Sequence, residues 1–146
     1  MQILPTNLLD LNSLRKLQQL CFPDDAWPLI DLIAVLSVPN VIRLKAFENG
    51  QMTGFIAGDQ RDGLAWVANI CVSPHYRNRG IGRALMEACE SRFTLPRVRL
   101  CVKSGNASAI HLYEKLGYRP VETWQQYYND RSDALVMEKE RVQTTL

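Results

Sequence analysis

The sequence predicts an α/β protein, a mixed sheet with helices on its faces, on three observations. Apolar residues recur at helical spacing in three separate stretches. An Asn49-Gly50 dipeptide separates two strand-like segments. The run Leu64 to Val72 is nearly all apolar, as a central strand covered on both faces must be. Read in order, the elements run β-α-α-β-β-β-α-β-α-β-β.

From Asp10 to Cys21, Leu11, Leu14, Leu17 and Leu20 recur every three residues, which predicts an amphipathic helix. Phe22-Pro23-Asp24-Asp25 breaks it. A second helix is expected from Pro28 to Leu36, opening on proline and stopping ahead of Pro39. Val41 to Glu48 and Gln51 to Gly58 read as a hairpin, because Asn-Gly tolerates the positive φ angles of a type I′ turn. After Arg61-Asp62-Gly63 comes the buried strand Leu64 to Val72, then a loop from Ser73 to Arg79. Ile81, Leu85, Ala88, Cys89 and Phe93 give helical spacing over Gly80 to Phe93. Arg97 to Val102 reads as a strand. Asn106 then offers a side-chain cap to a helix ending at Leu116, with Gly117 as its terminator. Two strands close the order, Arg119 to Tyr128 and Ala134 to Glu140.

A length of 146 residues is that of one ordinary domain, and one domain spanning 1–146 is the expectation. Seventeen basic and 15 acidic residues leave a net charge of +2, spread along the chain, so no global field recruits nucleic acid or anionic lipid. Cys21, Cys71, Cys89 and Cys101 form no C-x-x-C pair and lie in apolar stretches, which suggests free thiols in a reducing compartment. The start lacks a secretory pattern and no stretch is apolar over the 18 or so residues that span a bilayer. A cytoplasmic protein that binds neither nucleic acid nor membrane is expected.

The informative stretch is Val72-Ser73-Pro74-His75-Tyr76-Arg77-Asn78-Arg79-Gly80-Ile81-Gly82-Arg83, where a buried strand turns through a basic loop into a helix. First-turn N–H groups of a helix lack intrahelical partners and sit at the positive end of its dipole, so they suit a pyrophosphate. Gly80 and Gly82 would let phosphate approach the backbone, and Arg77, Arg79 and Arg83 would add charge-assisted contacts. The pattern is neither G-x-G-x-x-G nor a P-loop. On these residues alone, a plain strand-to-helix turn with solvated arginines is equally open.

Arg77-Asn78-Arg79-Gly80-Ile81-Gly82 resembles the R/Q-x-x-G-x-G/A motif of the GNAT family of N-acetyltransferases, and it sits between a strand and a helix as in that family. Asn106-Ala107-Ser108-Ala109-Ile110-His111-Leu112-Tyr113-Glu114-Lys115-Leu116-Gly117-Tyr118 is similar to the family's N-x-x-A-x-x-L-Y-x-x-x-G-F/Y segment. Tyr127-Tyr128 with Asp133-Ala134, Met137 and Lys139 resembles the ending of the ribosomal-protein alanine acetyltransferases and related protein N-terminal acetyltransferases; Phe22-Pro23 with Trp27 resembles their substrate-side loop. The resemblance covers Val41 to Lys139 well. It implies the acyl-CoA N-acyltransferase (GNAT) fold, with a mixed, mostly antiparallel central sheet and helices on both faces. It also implies acetyl-CoA as cosubstrate, no metal, and transfer to a primary amine. A protein or peptide N-terminus leads as acceptor; a small amine such as a polyamine, amino acid or aminoglycoside is the alternative, and a non-catalytic acyl-CoA-binding module the second. A monomer or homodimer fits either.

By the same resemblance Ile70, Cys71 and Val72 align the pantetheine arm, the amides of Asn78, Arg79, Gly80, Ile81, Gly82 and Arg83 hold the pyrophosphate with Arg77 beside them, and Asn106 contacts the cofactor. Asn106 is equally readable as a helix cap. Tyr113 is the expected acid for the departing thiolate, since a phenol of pKa about 10 stays protonated near neutrality. It also lies on an apolar stripe with Ala109, Leu112 and Leu116, where a core role is open. Where the ribosomal-protein enzymes carry a glutamate as general base, and a eukaryotic relative a histidine, this chain has Cys101, and a thiol is a poor base near pH 7. An N-terminal amine needs that base least, being about one quarter neutral at pH 7.5 against about one part in a thousand for lysine. Its proton can instead leave through water ordered by the backbone of the central strand or by Tyr127 and Tyr128, and His75 and His111 are the remaining candidates.

Overall fold

The computed structural model describes residues 1–141. Seven strands, β1 (Gln2–Pro5), β2 (Ile42–Glu48), β3 (Gln51–Arg61), β4 (Leu64–Val72), β5 (Arg97–Lys103), β6 (Arg119–Trp124) and β7 (Ala134–Glu140), form one sheet in the order β1-β2-β3-β4-β5-β7-β6. Four α-helices accompany them: α1 (Leu11–Cys21), α2 (Leu29–Ser37), α3 (Ile81–Glu90) and α4 (Ala107–Lys115). The chain thus has the expected mixed, mostly antiparallel α/β fold, with β4 and β5 as the parallel pair. It divides into two compact units. No helix among the described residues is long and apolar enough to cross a membrane.

The first unit holds Met1–Asp59 and Ala68–Arg92. β1 lies antiparallel on β2, with Pro5 on the outer strand, where its missing N–H costs no ladder bond. Asn49 and Gly50 both take positive φ, 52° and 74°, as a type I′ turn requires. Leu14, Leu17, Leu32, Val35 and Leu36 of the first two helices pack with Phe55, Ala57 and Cys71. Neighbouring strand residues project to opposite faces, so the Gly54 position turns the other way, toward Ile81 and Leu85 of α3. Helices therefore cover both faces here.

Leu20 departs from expectation: it is half exposed, and Gln18 is buried in its stead. At 3.6 residues per turn, nine residues from Leu11 to Leu20 rotate the side chain by about 180°, whereas Gln18 falls close to Leu14. The spacing of three drifts off the buried face.

The second unit holds 60–67 and the chain from Phe93 onward. Its β4 segment runs parallel to β5 from Ala65↔Val98 to Val67↔Leu100. β5 pairs with β7 from Arg97↔Glu140 to Lys103↔Ala134, and β6 covers the outer side of β7. Val98, Leu100 and Val102 alternate onto the buried face. β6 stops at Trp124 rather than Tyr128, because Gln126 turns to φ 50° and its N–H donates to the Asp133 carboxylate at 3.0 Å. α3 also ends at Glu90, short of Phe93, with Arg92 closing the helix through a bond to the Cys89 carbonyl.

Candidate functional site

In the first unit, β4 leads into the loop at Ser73, whose amide donates to the Thr53 carbonyl at 2.8 Å and whose hydroxyl accepts the His75 N–H. Pro74–Tyr76 makes a single 3₁₀ turn. Asn78 and Gly80 then take φ of 63° and 80°. The left-handed step at Gly80 is what lets the chain enter α3 abruptly, and a Cβ there would stand in open space. Gly80 caps α3 without a side-chain hydrogen bond, and the first intrahelical bond runs from Ala84 N–H to the Gly80 carbonyl. The N–H groups of Ile81, Gly82 and Arg83 therefore lie at the positive end of a helix with no side-chain cap. Gly54 seats this helix: a Cβ there would come within 2.9 Å of Leu85 Cδ1, 3.1 Å of Ile81 Cγ2 and 3.2 Å of the Cys71 carbonyl. Sequence reasoning passed over Gly54, although a glycine inside a strand signals close approach.

The three arginines differ. Arg79 lies over the Tyr76 ring at 5.0 Å, and the Tyr76 hydroxyl is 2.6 Å from Gln51 Nε2, which donates to it. Arg83 pairs with Glu87 at 2.9 Å on the exposed side of α3, a contact of about 0.3–0.5 kcal/mol that an anion can compete with. Arg77 donates from Nε to the Val72 carbonyl at 3.4 Å. His75 is exposed.

Beneath the loop, β4 is tied to α1 by groups the sequence did not announce. Gln18 Nε2 donates to Asn69 Oδ1 at 2.8 Å and Asn69 Nδ2 donates to Gln18 Oε1 at 3.2 Å, a reciprocal amide pair in a buried setting. Gln18 Nε2 also reaches Cys71 Sγ at 3.4 Å, and Cys21 Sγ donates to the Val72 carbonyl at 3.2 Å. The two thiols titrate apart. Burial pushes Cys71 well above the ordinary thiol range, while a hydrogen bond from Cys71 holds Cys21 below it, against burial and with help from the Arg77 charge. All four cysteines are free.

In the second unit, Asn106 caps α4: its Oδ1 accepts the Ala109 N–H at 3.2 Å and the Ser108 hydroxyl at 3.3 Å. Gly117 takes φ 100°, and the Tyr118 N–H returns to the Tyr113 carbonyl, closing the helix as expected. Tyr113 is buried, its ring edge-on to Tyr118 at 6.1 Å. His111 is exposed on another side of α4.

Cross-strand partners share a face, so the register sorts the side chains around Cys101. Cys101 pairs with Val136, and Val136 with Glu122; one row to either side lie Arg99 with Trp66 and Glu138, and Lys103 with Ala134 and Trp124. Arg99 is ion-paired to Glu138 at 3.0 Å. The indoles of Trp66 and Trp124, rooted in the rows flanking Cys101, stack with centroids 6.1 Å apart, and Tyr127 and Tyr128 continue the row of rings at 5.3 and 5.1 Å. Burial, and then the Glu122 charge, push the Cys101 thiol up to about 11. Cys101 is accordingly a protonated thiol at neutral pH and no base. Tyr127 and Tyr128 were legible as a motif; the two tryptophans and Glu122 were not, since β4, β6 and their register only meet in the fold.

The model of the Acetyltransferase (GNAT) family matches residues 11–118. An N-alpha-acetyltransferase of Sulfurisphaera tokodaii is 29% identical over 146 aligned positions, covering 89% of this chain and 87% of the relative. The ribosomal protein bS18-alanine N-acetyltransferase of Escherichia coli K12 is 35% identical over 96 positions, 62% of this chain and 65% of that one. The crystal structure of the Escherichia coli ribosomal-protein-S18-alanine N-acetyltransferase superposes with a TM-score of 0.86 at 27% identity, over 99% of this chain and 96% of that chain.

Proposed function

The chain belongs to the GNAT family of acetyltransferases, and from that premise we propose that it transfers the acetyl group of acetyl-CoA to the N-terminal α-amine of a protein or peptide. The observation that carries the reading is the start of α3. Gly80 is left-handed with open space at its Cβ, and the amides that follow have no side-chain cap. Those donors, with Arg77, Arg79 and Arg83 beside them, fit a diphosphate in both charge and geometry. On this reading the amides from Asn78 through Gly80, Ile81, Gly82 and Arg83 bind the pyrophosphate. The backbone of Ile70, Cys71 and Val72 aligns the pantetheine arm, and Asn106 adds a contact beyond its capping bond. Tyr113 protonates the departing thiolate. The names of two relatives, an N-alpha-acetyltransferase and an enzyme of a ribosomal-protein alanine, favour a protein α-amine over a small one. Four free thiols suit a reducing compartment such as the cytoplasm.

The test is release of free coenzyme A from acetyl-CoA, followed with a panel of N-terminal peptides beside polyamines, amino acids and aminoglycosides. Peptides blocked at the α-amine serve as controls. Turnover with free peptides, lost on blocking, is expected. Turnover confined to small amines would overturn the acceptor assignment. A chain that melts higher with acetyl-CoA yet turns over no amine would be a binding module.

A further inference from the structure

Transfer to an amine that arrives as ammonium requires a group that takes its proton. Cys101, on the strand where relatives of this kind carry the base, is held protonated. The face of the second unit that presents Cys101 bears three carboxylates by register: Glu138 and Glu140 on β7, and Glu122 on β6. Glu138 is engaged by Arg99, and Glu140 lies at the far end of the ladder opposite Arg97. Glu122 is in the same cross-strand row as Cys101, with β7 between them, and has no ion-pair partner among the described residues.

Its presence there depends on a bulge. Pro120 pairs with Met137, but Glu122, not Val121, pairs with Val136. In an unbroken ladder Val121 would occupy the row of Cys101 and Glu122 would face the other side of the sheet. The extra residue switches the carboxylate onto the face with Cys101, Trp66 and Trp124, the kind of re-aiming bulges commonly perform beside active sites. A pleated strand spacing of about 4.8 Å puts the two backbones about 10 Å apart across β7, within reach of a small amine held between a glutamate and Cys101.

The geometry points to Glu122 as the proton acceptor for the acceptor amine, taking the place of a base on β5. The inference rests on the acetyltransferase reading above. An N–H bond of the ammonium breaks and its proton passes to the Glu122 carboxylate and on to solvent. The freed lone pair forms the N–C bond to the thioester carbonyl, and the C–S bond breaks with its electrons on sulfur. The thiolate takes the proton Tyr113 supplies, and the second amine proton, released as the amide forms, restores Tyr113 through solvent. The charged or titratable groups that share this face with Glu122 by register are Arg119 on its own strand, Glu138 and Glu140 on β7, and Arg97, Arg99, Cys101 and Lys103 on β5; Arg61 lies over the Trp66 ring, and Tyr127 and Tyr128 continue from Trp124. The Trp66–Trp124 stack supplies the desolvated wall.

Two measurements on Glu122→Gln test this. Glu122 is exposed, so the variant should melt with the wild type. In peptide acetylation its kcat/KM should fall on the order of a hundredfold at pH 6.5, the lower end for loss of a general base. The deficit should shrink by up to tenfold per pH unit until the amine's own pKa near 8 and then level off, as the amine deprotonates unaided. Glu122→Asp should recover part of the rate, and adding Cys101→Glu to Glu122→Gln should restore activity at pH 6.5. Independently of turnover, site-resolved alkylation with iodoacetamide should show the Cys101 titration midpoint falling in Glu122→Gln, because a negative neighbour is gone. An active enzyme whose Glu122→Gln variant keeps the wild-type rate at every pH overturns this inference alone, and an unmoved Cys101 midpoint overturns the adjacency behind it. A chain that acetylates no amine overturns both this inference and the function it rests on.

Discussion

Replacing Gln18 by leucine tests how β4 is held to α1 in the first unit. The substitution removes the 2.8 Å and 3.2 Å bonds to Asn69 and the 3.4 Å bond to Cys71. Asn69 is 7% exposed, so its amide is left with a buried donor and a buried acceptor, each costing about 1–3 kcal/mol when unmet. Leucine returns about 1–2 kcal/mol through added apolar burial. A net loss of about 1–4 kcal/mol follows, which for a domain of this size lowers the melting temperature by roughly 3–14 °C. Adding Asn69→Leu removes the stranded groups, so the double variant should recover at least half of the loss, with a coupling of about 1–3 kcal/mol. Thermal and urea denaturation followed by circular dichroism measure both quantities. A Gln18→Leu melt within about 2 °C of wild type, or a double variant whose loss equals the sum of the single losses, would refute the reasoning.

Gly80 and Gly63 share a left-handed φ, 80° and 78°, and open space at Cβ, so Gly80→Ala and Gly63→Ala should each cost about 1–2 kcal/mol of stability. Calorimetry should find that only Gly80→Ala weakens coenzyme A binding; equal effects on affinity would remove the special role of the α3 start. Tyr113→Phe should lower kcat at least tenfold with the KM for acetyl-CoA unchanged, a split that steady-state kinetics reads and a purely packing role would not produce. For the thiols, a depressed pKa means more thiolate at a given pH and a raised one means less. At pH 8 Cys21 should alkylate first, with Cys101, about 11, Cys89, about 12, and Cys71 following far behind. Arg77→Gln should slow Cys21, since it removes a nearby positive charge; site-resolved mass spectrometry over time checks both.

Local chemistry made most elements legible. Asn49-Gly50 and Asp62-Gly63 bracket β3 because both pairs adopt the positive φ angles their residues permit. Asn106 and Gly117 bound α4 by capping bonds that depend on a few neighbouring residues. What was illegible depends on register and on residues far apart in sequence. Gln18 and Asn69 are 51 positions apart, and nothing near either predicts that each satisfies the other. Leu20 read as core because a three-residue spacing imitates a helix face over one turn and leaves it over three. Nothing in the sequence singles out Glu122, since a one-residue bulge at Val121 cannot be seen without β7 alongside. The loop proposed to bind phosphate was visible as a motif, but the seat of the helix after it was not: Gly54 matters only because Ile81 and Leu85 lie against it.

The thiol of Cys101, which the family resemblance places where a base is expected, also bears on which amines this chain can serve. A protonated Cys101 removes no proton, so the share of acceptor that is already neutral weighs more in the rate. A lysine ammonium has a pKa of about 10.4, against about 8 for an α-ammonium. At a pH below both values, each unit of difference between them is about tenfold in the population of neutral amine. An α-amine thus starts about two orders of magnitude ahead of a lysine side chain before any pocket discriminates between them. Selection for the N-terminus can therefore arise from proton affinity itself. The peptide-contacting loops are then left to choose among N-terminal residues, which is a smaller task than rejecting lysine.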